Sequence, residues 1–123
     1  VFMDIKNQEK AVTDKVSLYI SALENSEFAK DNIERAFYSS TNLHSLSEDG
    51  SIHFIPRDAL VEYAVTNNAE VVGSIIEVEV VNDMAFAKVK LELSDFYWVD
   101  YLTLLKIKGD WLIVSKTFTT INK

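Results

Sequence analysis

The stretch from Asp100 to Lys116, DYLTLLKIKGDWLIVSK, decides the reading of this chain. Two runs rich in Leu, Ile, Val and aromatic side chains flank Lys108-Gly109-Asp110, which reads as two antiparallel strands joined by a tight turn. Either Lys108-Gly109 or Gly109-Asp110 as the turn preserves parity. Leu102, Leu104, Trp111, Ile113, Ser115 and Thr117 are therefore expected on one face, with Tyr101, Leu105, Ile107, Leu112, Val114 and Phe118 on the other. Both faces are largely apolar, whereas a sheet with one wet side alternates cleanly. Both sides of these strands are expected to be covered.

Working outward, the period of two extends back to Val71. A turn at Asn82-Asp83 sets Glu77 opposite Lys88, Ile76 opposite Val89 and Val78 opposite Ala87, giving one charged and one apolar face. A loop of Ser94 to Tyr97 sets Asp100 opposite Leu91, among aliphatic side chains. The last fifty or so residues thus read as a four-stranded meander.

Upstream the period is helical. Ile5, Val12, Val16, Tyr19, Ile20 and Leu23 fall on one arc of a first helix. Asn25-Ser26 breaks it and caps a second, shorter helix carrying Phe28, Ile33, Ala36 and Phe37 and ending near Tyr38. Glu48-Asp49-Gly50 reads as the turn of a hairpin between Leu43–Ser47 and Ser51–Ile55. Pro56 stops that hairpin, and Asp58, Leu60, Tyr63 and Ala64 mark a third helix with its acid in the first turn. The expected fold class is α+β: three N-terminal helices packed on a strongly curved, mainly antiparallel sheet, as one domain over residues 1–123.

The chain has 123 residues, enough for one core, and a formal net charge of −7. That charge disfavours nucleic acid and anionic membranes as partners. Cysteine is absent, which excludes disulfides and thiolate chemistry. No apolar run is long enough to span a membrane. Asp4 and Lys6 do not fit a secretory leader, so a cytoplasmic protein is expected, although a start at Val1 leaves a removed leader open.

The order helix, helix, hairpin, helix, meander, together with Asp100-Tyr101-Leu102 through Leu104-Leu105-Lys106 and Trp111 through Ile113-Val114 and Lys116, resembles the nuclear transport factor 2-like superfamily, with its cystatin-like fold. Within it the chain is most similar to the branch named putative lumazine-binding. It departs from that pattern at Lys108, where an acid is usual, and at Ser115, where an amide is common. The resemblance implies a cone-shaped roll with an internal pocket between sheet and long helix, and in many members a dimer formed through the sheet. It does not select among isomerases, dehydratases, carriers and assembly modules.

Asp100 is the sharpest candidate for chemistry, because burial among aliphatics raises a carboxyl pKa and lets it donate a proton. Tyr19, central in the first helix's inward stripe, is positioned to make a donor pair with it. Each also has a structural reading: Asp100 solvated or bonded to Thr117, Tyr19 bonded to a backbone carbonyl. Trp98, Trp111 and Tyr97 offer flat surfaces for a heteroaromatic ligand or simply plug the cone. Ala85 and Ala87 are expected to leave space on the inner face. His44 and His53, without converging carboxylates, are a weak metal signal, and neither metal nor cofactor is expected.

The expected ligand-binding set is Tyr19, Trp98, Asp100, Trp111, Ser115 and Thr117. The leading expectation is a homodimeric, non-catalytic carrier for a small apolar or heteroaromatic ligand. An isomerase or dehydratase using Asp100 and Tyr19, and a dimeric assembly module with a vestigial pocket, are the alternatives.

Overall fold

A computed structural model describes residues 2–123, with side chains from Asp4 onward. Helix α1 spans Phe2–Glu24 and buries Val12, Val16, Tyr19, Ile20 and Leu23. Ile5, expected on the same stripe, is 46% exposed, so packing begins a turn or two inside the helix. The Asn25 side chain accepts the Glu27 N–H at 3.0 Å and starts a 3-10 turn over Ser26–Phe28. Helix α2, Ala29–Ala36, follows and buries Ala29, Ile33 and Ala36. It stops short of Tyr38, because Phe37 is already extended and begins strand β1.

Strands β1 (Phe37–Leu46) and β2 (Ile52–Pro56) form the expected hairpin. Its turn is closed by bonds from Ser47 N–H to the Ser51 carbonyl (2.8 Å) and from Gly50 N–H to the Ser47 carbonyl (2.9 Å). Gly50, at φ 85°, supplies the left-handed residue. Helix α3, Arg57–Thr66, starts directly after Pro56 and buries Leu60 and Ala64. The meander follows as β3 (Val72–Val81), β4 (Met84–Glu92), β5 (Phe96–Ile107) and β6 (Asp110–Asn122).

These six strands form one sheet in the order β2-β1-β6-β5-β4-β3. All neighbours are antiparallel except β1 and β6. Helix α1 touches β6 in the middle of the sheet and β3 at its edge, so the sheet curls around it without closing. At that edge the Gly73 N–H bonds the Glu24 carboxylate at 2.9 Å. The architecture is the expected α+β arrangement. One cluster, from Val12 and Val16 through Val89, Leu91, Leu102 and Leu104, fills the space between helix and sheet. Each fully buried aliphatic there contributes ~1.5–3 kcal/mol relative to exposure.

Three departures correct the expected registers. Glu77 does face Lys88 and Val78 does face Ala87, but Ile75 takes the place opposite Val89, and Ile76 bulges out at 53% exposure. The β4–β5 turn is tighter than expected: Leu93 N–H bonds the Phe96 carbonyl at 2.9 Å, leaving Ser94-Asp95 as a two-residue turn. Asp100 therefore lies opposite Val89 instead of Leu91, a slip of two that keeps it on the inner face.

The third departure matters more. The β5–β6 ladder pairs Leu104 with Ile113 but Thr103 with Ser115, so Val114 is an extra residue and β6 changes face there. Trp111 and Ile113 point inward as expected. Beyond the bulge Lys116 and Phe118 point inward, while Ser115 and Thr117, expected inside, do not. The turn between these strands is Lys108-Gly109, with φ 50° and 84°.

Candidate functional site

The inward turn of β6 places a lysine where the sequence reading has none. Lys116 is 5% exposed, beside Tyr19 and Asp100, both fully buried. Its Nζ donates to the Tyr19 hydroxyl at 2.6 Å, and that hydroxyl donates to Asp100 Oδ2 at 2.5 Å. Nζ and Oδ2 are 3.7 Å apart, an ion pair. The ammonium also sits against two ring faces, 4.9 Å from the Tyr19 centroid and 4.8 Å from that of Phe118. Tyr19 packs edge-on against Phe37. Three elements build the triad: α1 gives Tyr19, β5 Asp100 and β6 Lys116.

Burial dominates its electrostatics. Loss of water raises the Asp100 carboxyl above its ordinary value, although the Lys116 charge and the Tyr19 hydroxyl oppose the shift. The same burial lowers the Lys116 amine, against the pull of Asp100. Tyr19 is raised well above its ordinary value by desolvation and then by Asp100, so its hydroxyl stays protonated. Asp100 Oδ1 is buried without a hydrogen-bond partner. A carboxylate in this position accepts one hydrogen bond where it has room for several.

Lys116 and Phe118 also line a cavity of about 160 Å³. Leu23 from α1, Leu43 from β1, Ile55 from β2, Ala59, Leu60 and Tyr63 from α3, and Trp98 from β5 complete it. Trp98 is fixed at the rim by edge-on contacts with Tyr63 (5.9 Å) and Phe96 (5.3 Å). Lys116 is the one charged side chain among these lining residues. The cavity is open at one side, and a volume of ~150 Å³ is enough for a molecule of benzene's size.

The site residues expected from the sequence separate into two groups. Asp100, Tyr19 and Trp98 lie at or just behind the cavity. Tyr19 and Asp100 are bonded to each other and reach its wall only through Lys116. Trp111 lies elsewhere, its indole N–H donating to Gln8 Oε1 at 2.8 Å on α1. Ser115 is half-buried and Thr117 exposed, on the far side of the bulge's change of face. Ala85 and Ala87 are buried in the core cluster and do not line the cavity, which opens beneath α3 instead. Tyr97 carries the Lys90 ammonium 4.4 Å above its ring and is not among the lining residues.

Lys116 and Phe118 are the cavity-lining positions of β6 that alternation alone does not place. Strict alternation through β6 puts both outside, and only the bulge reverses them. His44 packs edge-on against Phe54 at 5.0 Å, and His53 pairs with Ser45 across the hairpin. Among the described residues no group of three or more His, Asp or Glu side chains converges. No helix of the described chain is long and apolar enough to cross a membrane.

Comparison with known proteins places this geometry. Residues 7–119 match the family described as "Putative lumazine-binding". A protein described as NTF2-like and of unknown function from Shewanella baltica OS155 superposes with a TM-score of 0.83 at 22% identity, covering 93% of this chain and 94% of its own. One from Silicibacter pomeroyi DSS-3 gives 0.80 at 24% identity, with 94% and 97% covered. One from Methylobacillus flagellatus KT gives 0.79 at 24% identity, with 93% and 92% covered. At these identities the likeness establishes the NTF2-like fold. No curated protein matches.

Proposed function

The chain belongs to the putative lumazine-binding family, and from that premise we propose that it binds a small, mostly apolar molecule in the cavity between α3, the β1–β2 hairpin and the inner face of β5 and β6. The observation that carries this reading is the pairing of an apolar cavity with a single buried cation in its wall. An ammonium has three N–H donors. Lys116 commits one to Tyr19, and Asp100 at 3.7 Å lies beyond hydrogen-bond reach. A ligand with one acceptor oxygen or nitrogen takes a second of these donors while its apolar part fills the remaining volume.

Charge narrows the ligand further. Lys116 and Asp100 already balance each other, so an anionic ligand leaves a net negative charge in a dry site, at a steep cost. Neutral acceptors, such as ring carbonyls and alcohols, avoid that cost. The volume matches one aromatic ring with a short substituent, and a larger heteroaromatic must project past Trp98 and Tyr63 at the mouth. Binding without catalysis is favoured because Tyr19 and Asp100 lie behind Lys116 and do not themselves line the cavity.

Two tryptophans supply the test. In an NMR titration with benzyl alcohol, the indole N–H of Trp98 is expected to shift while that of Trp111, held by Gln8, stays in place. Equal shifts at both, or none, contradict the reading.

We further infer a homodimer through the outer face of β5 and β6, where Tyr101 and Leu105 stand 52% and 43% exposed beside the half-buried Ile107, Leu112 and Val114. Phe118, first assigned to that face, belongs to the cavity instead. Sedimentation is expected to give a dimer that Leu105→Lys converts to monomer, and a wild-type monomer at micromolar concentration overturns the inference.

A further inference from the structure

The hydrogen bonds of the buried triad run in one direction, from Lys116 Nζ to the Tyr19 hydroxyl and from that hydroxyl to Asp100 Oδ2. A proton leaving the ammonium along this path displaces the tyrosine proton onto the carboxylate. Tyrosine ends as it began, the lysine becomes a neutral amine, and the aspartate becomes a carboxylic acid. The exchange replaces two buried charges with none. At 2.6 Å and 2.5 Å both steps of the path are short, and a dry surrounding disfavours the charged arrangement. The resulting amine belongs to a residue of the cavity wall.

We propose that Lys116 is a covalent capture site, condensing reversibly with a small apolar aldehyde held in the cavity. The proposal rests on the binding reading above and adds a bond to it. The amine lone pair attacks the carbonyl carbon and the carbonyl π pair moves to oxygen. Transfer of an ammonium proton to that oxygen gives the carbinolamine. Asp100, through Tyr19, then returns its proton to the Lys116 nitrogen, which passes a proton to the hydroxyl group; the C–O bond breaks, and water leaves. What remains is an iminium cation on Lys116 beside the Asp100 carboxylate. No oxidant or reductant is consumed; aldehyde and amine become iminium and water, with the Asp100 proton carried off in the water. The product has the same charge pattern as the resting ion pair, so the site that accommodates one accommodates the other. The opposed shifts of Lys116 and Asp100 toward their neutral forms agree with this. A desolvated lysine in an apolar pocket is the standard form of an activated amine nucleophile.

The experiment is reductive trapping. The full chain is incubated with benzaldehyde and cyanoborohydride, and the benzylated lysines are mapped by peptide mass spectrometry over time. Lys116 is expected to be labelled faster than exposed lysines such as Lys10 and Lys30, since burial lowers its amine and raises its free-amine fraction. Lys116→Met is expected to remove the fast phase. Tyr19→Phe, which keeps the amine and breaks the relay, is expected to slow it while surface labelling is unchanged. Labelling of Lys116 no faster than that of the surface lysines overturns the proposal, and the wild-type map decides this even if a variant does not fold. Benzyl alcohol separates the two readings. If it shifts the Trp98 indole but Lys116 is not trapped, capture alone is wrong; if neither occurs, both are wrong.

Discussion

The Thr41 hydroxyl donates to the Ile113 carbonyl at 2.8 Å, immediately before the bulge at Val114 that turns Lys116 inward. Both ladders of β6 shift around this point. The parallel pairing with β1 jumps between Phe37 and Asn42, and the antiparallel pairing with β5 jumps between Thr103 and Leu104. A carbonyl at a bulge loses a regular ladder partner, and buried Thr41 replaces it. Thr41→Val keeps the shape and removes the donor. It is expected to cost ~1–3 kcal/mol in urea unfolding, the penalty for an unsatisfied buried acceptor, and to weaken benzyl alcohol binding.

Lys116 and Asp100 are expected to be strongly coupled. Removing one member of a buried pair costs ~3–5 kcal/mol because the other charge is left without compensation. Lys116→Met is therefore expected to be severe at neutral pH. In the double variant with Asp100→Asn the loss is expected to fall short of the sum of the singles by about 1–3 kcal/mol. Additive losses in denaturant titrations contradict the coupling.

The raised carboxyl of Asp100 sets the sign of a pH effect. A group with a folded pKa above its unfolded value contributes stability that is complete below the unfolded value, ~3.9 for aspartate, and is lost as pH rises through the folded value. Lys116 works in the same sense in the comparison with Asp100→Asn. Without its counter-charge the amine is lowered further, so the variant loses stability as pH falls. The stability of the wild type relative to Asp100→Asn is thus expected to decline from about pH 4 upward. A difference that is flat, or that grows with pH, contradicts the assignment.

Much of this fold was legible as alternation and punctuation. The Glu48-Asp49-Gly50 turn, the helix after Pro56, the Glu77–Lys88 pair and the inward stripe of α1 from Val12 to Leu23 all appear where periodicity places them. Asp100 was legible as a buried acid because a two-residue slip of register leaves its face unchanged. Lys116 was not, because a bulge inserts one residue and inverts every later side chain on its strand. The bulge at Val114 coincides with register shifts against both neighbouring strands, β1 and β5, which no local pattern on β6 records. The same event exchanged Phe118 for Thr117 and took Ser115 and Thr117, a third of the expected set, off the inner face. The cavity's position under α3 was equally hidden, since Ala85 and Ala87 lie buried in the core cluster and not at the cavity.

Gly73 offers a packing test at the sheet's free edge. A Cβ built there comes 2.4 Å from Ile20 Cγ2 and 3.1 Å from Leu91 Cδ2, both in the core. Gly73→Ala is expected to cost ~1–3 kcal/mol through overpacking. Ile20→Ala in the same chain removes the clashing methyl, so the double variant is expected to be more stable than the single losses sum to. Tolerance of alanine, with an unchanged melting temperature, contradicts the close approach of α1 to β3.

The central claim is that the apolar cavity walled by Lys116 is a binding site, and a crystal structure of the chain soaked with benzyl alcohol tests it most directly. The account predicts the ring between Leu60 and Phe118, with its hydroxyl ~2.7–3.2 Å from Lys116 Nζ. A cavity closed by the chain's own side chains, or a ligand bound only elsewhere on the surface, contradicts it.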